Sequence, residues 1–240
     1  LSCTWNVPDN ATTAARVKII LTGDTAVVST SPNLFAIRGK LTMVSPNGDP
    51  SFPTNAGGTA EDWEVQTVKT VKWTKFGTTG AMTGNVQLKY SANNGADSYP
   101  YEIATDLVNG VNGSCTPPSG GGCYDWIVSD VVSNQVKVKI ILLPDPGVTD
   151  TSNNPFKVRA GFTVTAPTTG DIWKASLLKT IMWQKRGSVP AVKIEYSKLG
   201  NFTDKVQIHA SANNGSNTVA GNGADGDCTA TAGTGCYVWR

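Results

Sequence analysis

The chain has 240 residues, room for one large all-β domain or two smaller domains, and its 39% hydrophobic content can build real cores. Charged residues make up only 16%, against about 25% in a typical soluble domain, so the surface must be polar mainly through Thr, Ser, Asn and Gly. The balance of 20 basic to 18 acidic residues leaves no positive excess to grip a phosphate backbone, which excludes nucleic acid as an expected partner, and no apolar run approaches the ~18 residues of a membrane span.

The chain opens Leu-Ser-Cys-Thr-Trp, with no basic region followed by an apolar one, so no secretory signal is read there. Residues 1–39 contain Arg16-Val-Lys-Ile-Ile-Leu21 and Phe35-Ala-Ile-Arg38. From residue 40 the apolar period is two. Val86, Leu88 and Tyr90 alternate with Gln87 and Lys89, and Val136, Val138 and Ile140 alternate with Lys137 and Lys139. Alternation over such runs predicts half-buried strands. Turn residues punctuate them at Ser45-Pro-Asn-Gly48, Asn93-Asn-Gly95, Asn109-Gly110, Pro144-Asp-Pro-Gly147 and Asn153-Asn-Pro155. The expected strands are 40–45, 66–75, 84–92, 99–106, 122–129, 135–143 and 155–160, with no helix. About seven short strands in one module fit an all-β, immunoglobulin-like sandwich.

The chain also repeats itself. Trp5, Arg16–Leu21 and Phe35–Arg38 recur 121 residues later as Trp126, Lys137–Leu142 and Phe156–Arg159. Val68–Trp73 recurs as Leu178–Trp183, Val86–Ser91 as Val192–Ser197, and Cys123-Tyr-Asp-Trp126 as Cys236-Tyr-Val-Trp239. Three regions follow: 1–39 as the C-terminal part of a first repeat, 40–160 as a complete repeat, and 161–240 as the N-terminal part of a third. The short joints Arg38-Gly-Lys40 and Arg159-Ala-Gly161 predict semi-rigid connections. Each end piece is an incomplete sandwich that would expose a core face. A continuous repeat polypeptide and a strand-exchanged subunit both satisfy this pattern.

Cys115/Cys123 and Cys228/Cys236 share a spacing of eight while the residues between them differ. A covalent constraint on a loop explains that, so two disulfides are expected. Cys3 matches Cys123 and Cys236, and its partner is expected upstream of Leu1. No His or carboxylate cluster accompanies the thiols, so no metal site and no cofactor are expected. Disulfides point to an extracellular or cell-surface location.

All seven Trp fall on repeated positions: Trp5/Trp126/Trp239, Trp63/Trp173 and Trp73/Trp183. They are read as structural core residues. Tyr99 and Tyr101 are the candidate ligand contacts, because the third repeat has Asp204 and Val206 in their places. The single His209 has no nucleophile in a recognisable pattern, so no catalytic residue is assigned and no enzyme is expected. Asp145, Asp150 and Asp225-Gly-Asp227 sit in turns without a full calcium-loop spacing. Sequons stand at Asn10, Asn112, Asn201 and Asn214.

The order Ser-Pro-Asn-Gly (45–48), Trp63, Val-x-Trp (71–73), Val-x-Leu-x-Tyr-Ser with Asn-Asn-Gly (86–95), Trp-x-Val (126–128), Val-x-Val-x-Ile (136–140) and Phe-x-Val (156–158) resembles the tandem immunoglobulin-like repeats of large bacterial secreted and surface proteins. It is similar in pattern to the Ser/Thr-rich, GPI-anchored cell-wall domain of yeasts. The disulfide loop before the Trp126 strand, and Ser129 where the first copy has Pro8, depart from that pattern. The resemblance implies a non-catalytic module of walls, stalks and adhesive fibres. The expected role is a disulfide-reinforced structural stretch of a long fibrous protein. The expected partners are neighbouring repeats or copies of the same protein, with cell-wall or surface polysaccharide as a further candidate. An adhesin or glycan-binding module, and an accessory region of a giant secreted enzyme, are the alternatives.

Overall fold

The computed structural model describes residues 2–48, 61–77, 82–216 and 227–239. The protein is all-β, without a helix among the described residues. The strands in chain order are β1 (Thr12–Ala15), β2 (Lys18–Leu21), β3 (Asp24–Thr30), β4 (Phe35–Ile37), β5 (Lys40–Ser45), β6 (Asp62–Glu64), β7 (Val68–Phe76), β8 (Asn85–Ser91), β9 (Tyr101–Val108), β10 (Val111–Asn112), β11 (Gly121–Ile127), β12 (Ser133–Leu142), β13 (Thr149–Thr151), β14 (Phe156–Arg159), β15 (Gly161–Ala166), β16 (Lys179–Arg186), β17 (Ala191–Tyr196), β18 (Val206–Asn213) and β19 (Thr234–Trp239). All seven strands expected between residues 40 and 160 are present, with ends shifted by a few residues. β6, β10 and β13 have only two or three residues, too few for a period to register.

Two compact units divide the chain: residues 1–62, 68–127 and 133–157 in the first, and 63–67, 128–132 and 158–240 in the second. Two main sheets are built around the first, in the orders β10-β11-β7-β5 and β6-β14-β12-β8-β9, with β13 added to β12. They face each other. The Tyr90 ring on β8 lies 5.5 Å from the Trp126 ring on β11, and the Met43 N–H on β5 donates to Asp150 Oδ2 on the β13 side. The alternation read in the sequence is the burial pattern: Val86, Leu88, Val136, Val138, Ile140 and Leu142 are fully buried, and the residues between them are not.

Also in the first unit, residues 12–37 form two small antiparallel pairs, β1 with β4 and β2 with β3. The apolar side chains of β2 and β3 stand in solvent, while Phe35 and Ile37 on β4 are half-buried. Ile19 is 73% exposed and Leu21 is 53% exposed. Trp5 is 54% exposed and so departs from the core role expected of it, whereas its counterpart Trp126 is 3% exposed.

The second unit contains the sheet β15-β16-β19 and the pair β17-β18. Ile181, Trp183, Ile194, Ala212 and Tyr237 form its core. The segments 63–67 and 128–132 belong to it, joined by Gln66 N–H to Val128 O at 2.8 Å. Two polar ties hold the unit. Glu64 pairs with Arg159 at 3.1 Å and Arg186 at 2.8 Å, and Asp130 accepts from both the backbone N–H and the hydroxyl of Ser188.

Candidate functional site

One constellation is built twice. Trp73 lies on β7 with its indole close to Gly122 of β11. Its Nε1–H donates to Asn109 Oδ1 at 2.9 Å, the Asn109 amide donates to Met82 O, and Lys75 Nζ donates to Asn109 O. In the second unit Trp183 Nε1–H donates to Asn214 Oδ1 at 2.9 Å, the Asn214 amide donates to Val189 O, and Lys185 Nζ donates to Asn214 O. Both asparagines are buried, at 5% and 3% exposure. A buried indole N–H needs an acceptor, and a buried amide needs partners for both its ends.

The disulfides sit beside this constellation. Cys115 is bonded to Cys123 and Cys228 to Cys236, each pair with Cα atoms 6.1 Å apart. The residue before the second Cys is a glycine in both copies. A Cβ at Gly122 would lie 2.5 Å from the Trp73 ring, and one at Gly235 would lie 2.3 Å from the Trp183 ring. Close approach of strand to indole therefore demands glycine there. Cys3 is exposed and makes no disulfide.

The tryptophans divide by environment. Trp63, Trp73, Trp126 and Trp183 are buried, as expected, while Trp173 and Trp239 are only partly buried. Trp239 still packs on Tyr196 at 5.1 Å, as Trp126 packs on Tyr90. Between the two sheets of the second unit lies an open apolar groove of about 730 Å³, lined by Phe162, Trp173, Trp183, Ile194, Tyr196 and Trp239. No sequence pattern singled it out, because it is made by what does not stand over these side chains.

Tyr99 does not fit the ligand-contact role. It is 9% exposed, hydrogen-bonds Thr151, and has Lys139 Nζ 5.6 Å from its ring centroid. Burial pushes its phenol above the ordinary range. Tyr101 is 49% exposed and stacks on Tyr90 at 5.0 Å, so one of its faces is covered. His209 on β18 packs its ring 5.2 Å from Tyr237. Asp145 pairs with Arg38 at 3.3 Å and Asp150 caps Met43 N–H, so both carboxylates serve the fold. Asp225 and Gly226 lie outside the described residues. Among the described residues no three His, Cys, Asp or Glu side chains gather as metal ligands.

Two of the four sequons are structurally committed. The Asn214 amide is buried against Val189 O, and the Asn112 amide donates to Val108 O, Gly110 O and Cys123 O. Glycan attachment at either nitrogen would break these bonds. Asn10 and Asn201 are exposed.

No helix among the described residues is long and apolar enough to cross a membrane. The two disulfides fit a non-reducing environment. Comparison of the chain with protein-family models, with curated proteins and with solved structures finds no match in any of the three.

Proposed function

We propose that this chain is a structural stretch of tandem immunoglobulin-like sandwich repeats, with bounds near 1–39, 40–160 and 161–240, from a long extracellular or cell-surface fibrous protein. One observation carries the reading: the Trp–Asn–Lys constellation and its disulfide loop are built twice, bond for bond, while the surface residues around them differ. Repetition of a buried scaffold with a variable exterior is what length-setting repeats require. The role proposed is mechanical and non-catalytic. Strand ladders resist extension, and each disulfide limits how much loop can unravel before the Trp126 or Trp239 strand.

Immunogold electron microscopy on source cells, with antibodies raised against the 240-residue chain, tests this. Gold along surface filaments or the wall is expected. Label confined to the cytosol would overturn it.

A further inference from the structure

Asn-Gly pairs stand at Asn47, Asn94, Asn109, Asn112, Asn214 and Asn222. Such a pair has a reaction of its own. Glycine carries no side chain to shield its backbone nitrogen, so that nitrogen can reach the Cγ of the asparagine before it. A C–N bond then forms, the Cγ–Nδ2 bond breaks, and ammonia leaves with the proton of the glycine N–H. Water opens the resulting cyclic imide at either carbonyl and leaves aspartate or isoaspartate. The net exchange is one water for one ammonia, and neither an enzyme nor an oxidant takes part.

The fold sets the rate. The asparagine side chain must be free to turn, and the glycine N–H must be free to leave its partner. Asn222 lies outside the described residues. Four of the other pairs are held. Asn109 and Asn214 are buried, each with its Oδ1 accepting from an indole and its amide nitrogen donating to a carbonyl. The Asn112 amide nitrogen, which would be the leaving group, donates to Val108 O, Gly110 O and Cys123 O. Asn47 Oδ1 accepts from Asn153 N–H at 2.7 Å, and Gly48 N–H donates to the Glu61 carboxylate at 2.9 Å. Turning any of these side chains breaks hydrogen bonds inside the fold, and a buried polar group left without its partner is costly.

Asn94, in the loop between β8 and β9, is different. Its side chain is exposed and makes no hydrogen bond among the described residues. Its backbone sits at φ +62°, a left-handed conformation that asparagine tolerates. The neighbouring strand β12 is in place against this loop, since Asn94 N–H donates to Gln135 O at 2.7 Å. The glycine that follows is demanded by the fold: Gly95 has φ +85°, and a Cβ there would lie 2.8 Å from Tyr99 Oη. One bond restrains the attacking nitrogen, from Gly95 N–H to the Ser91 hydroxyl at 2.8 Å.

We propose that Asn94 is a site of spontaneous conversion to aspartate and isoaspartate, with water as the co-reactant, and that the fold shields Asn47, Asn109, Asn112 and Asn214 from the same reaction. Conversion adds a carboxylate to a loop that already carries Asp97, and the isoaspartate form lengthens the main chain by a methylene beside the tie to Gln135. The loop after β17 has no Asn-Gly pair, so the change marks the first unit alone. This chemistry is independent of the fibrous role, and either fails or survives without the other.

The test incubates the full chain at mildly alkaline pH, once folded in buffer and once unfolded in urea, with both disulfides intact. Peptide mass mapping, with fragmentation that separates aspartate from isoaspartate, follows each pair over time. In the folded chain Asn94 should convert at least about tenfold faster than Asn47, Asn109, Asn112 or Asn214, because each of those must first break a hydrogen bond of the fold. In urea the five rates should converge, because that protection is gone. A folded chain in which any of the four converts as fast as Asn94, or an Asn94 that keeps its full lead in urea, overturns the proposal.

Discussion

Residues 137–142 and 16–21 spell nearly one strand, Lys-Val-Lys-Ile-Ile-Leu and Arg-Val-Lys-Ile-Ile-Leu, and each makes the same hairpin with the strand after it. Ile140 is fully buried, yet Ile19 is 73% exposed. The sequences do not explain the difference. β12 has β8 beside it and a second sheet facing it, whereas among the described residues β2 pairs only with β3. The second unit shows the converse. β16, β17 and β19 keep the packing of β7, β8 and β11, down to the Tyr196–Trp239 contact, around a groove that is open among the described residues. Hairpin geometry is thus local, while burial belongs to the pair of sheets.

The sharpest way to break this comparison is one substitution made in both strands. Ile140→Ala should cost about 2–5 kcal/mol, the range for deleting a fully buried aliphatic side chain. Ile19→Ala, measured by urea unfolding, should cost less than about 0.5 kcal/mol. Equal losses would mean that β2 is packed like β12 after all.

Removing either disulfide by a Cys→Ser pair should cost about 2–3 kcal/mol, from the entropy of closing so short a loop. Both pairs have a sequence separation of eight, so the two losses should match. A clear difference in the reductant-dependent melting of the two would separate the copies.

Asn109→Ala and Asn214→Ala should each cost about 1–3 kcal/mol, because each strands a buried indole N–H. Trp fluorescence during denaturant unfolding reads both. Loss at Asn109 without loss at Asn214 would mean that the open groove relaxes the second constellation.

The smallest effect is electrostatic and confined to the second unit. The Arg186 hydrogen bond, with the charge of Arg159, holds the Glu64 carboxyl below its ordinary value of 4.5, against a burial effect that raises it. A lowered folded-state value contributes stability that is complete above the ordinary value and is lost as pH falls through the lowered one. Stability of this unit should therefore decline below about pH 4, by less than about 1 kcal/mol because the pair is solvent-accessible. Glu64→Gln should flatten that part of the pH profile, as read by thermal melts.

Much of the fold was legible because strands with one buried face write a period of two, as in Val86–Tyr90 and Val136–Ile140. The cysteine pairs were legible because a repeated spacing with unrelated contents has few other causes. The constellation was legible only in part. Trp73 and Trp183 stood out, but Asn109 before Gly110 reads as a turn, and Asn214 before Gly215 reads as a sequon. Only the fold places each amide under an indole. Tyr99 looked like a copy-specific surface aromatic until the turn carried it inward.

By itself the sequence determined the strand periodicity and the disulfide partners, both of which depend on neighbours close in the chain. The tertiary structure decided which apolar faces are covered. Burial requires a second sheet from far along the chain: Ile19 and its repeat counterpart Ile140 are 73% and 0% exposed although the strands that carry them are nearly identical in sequence.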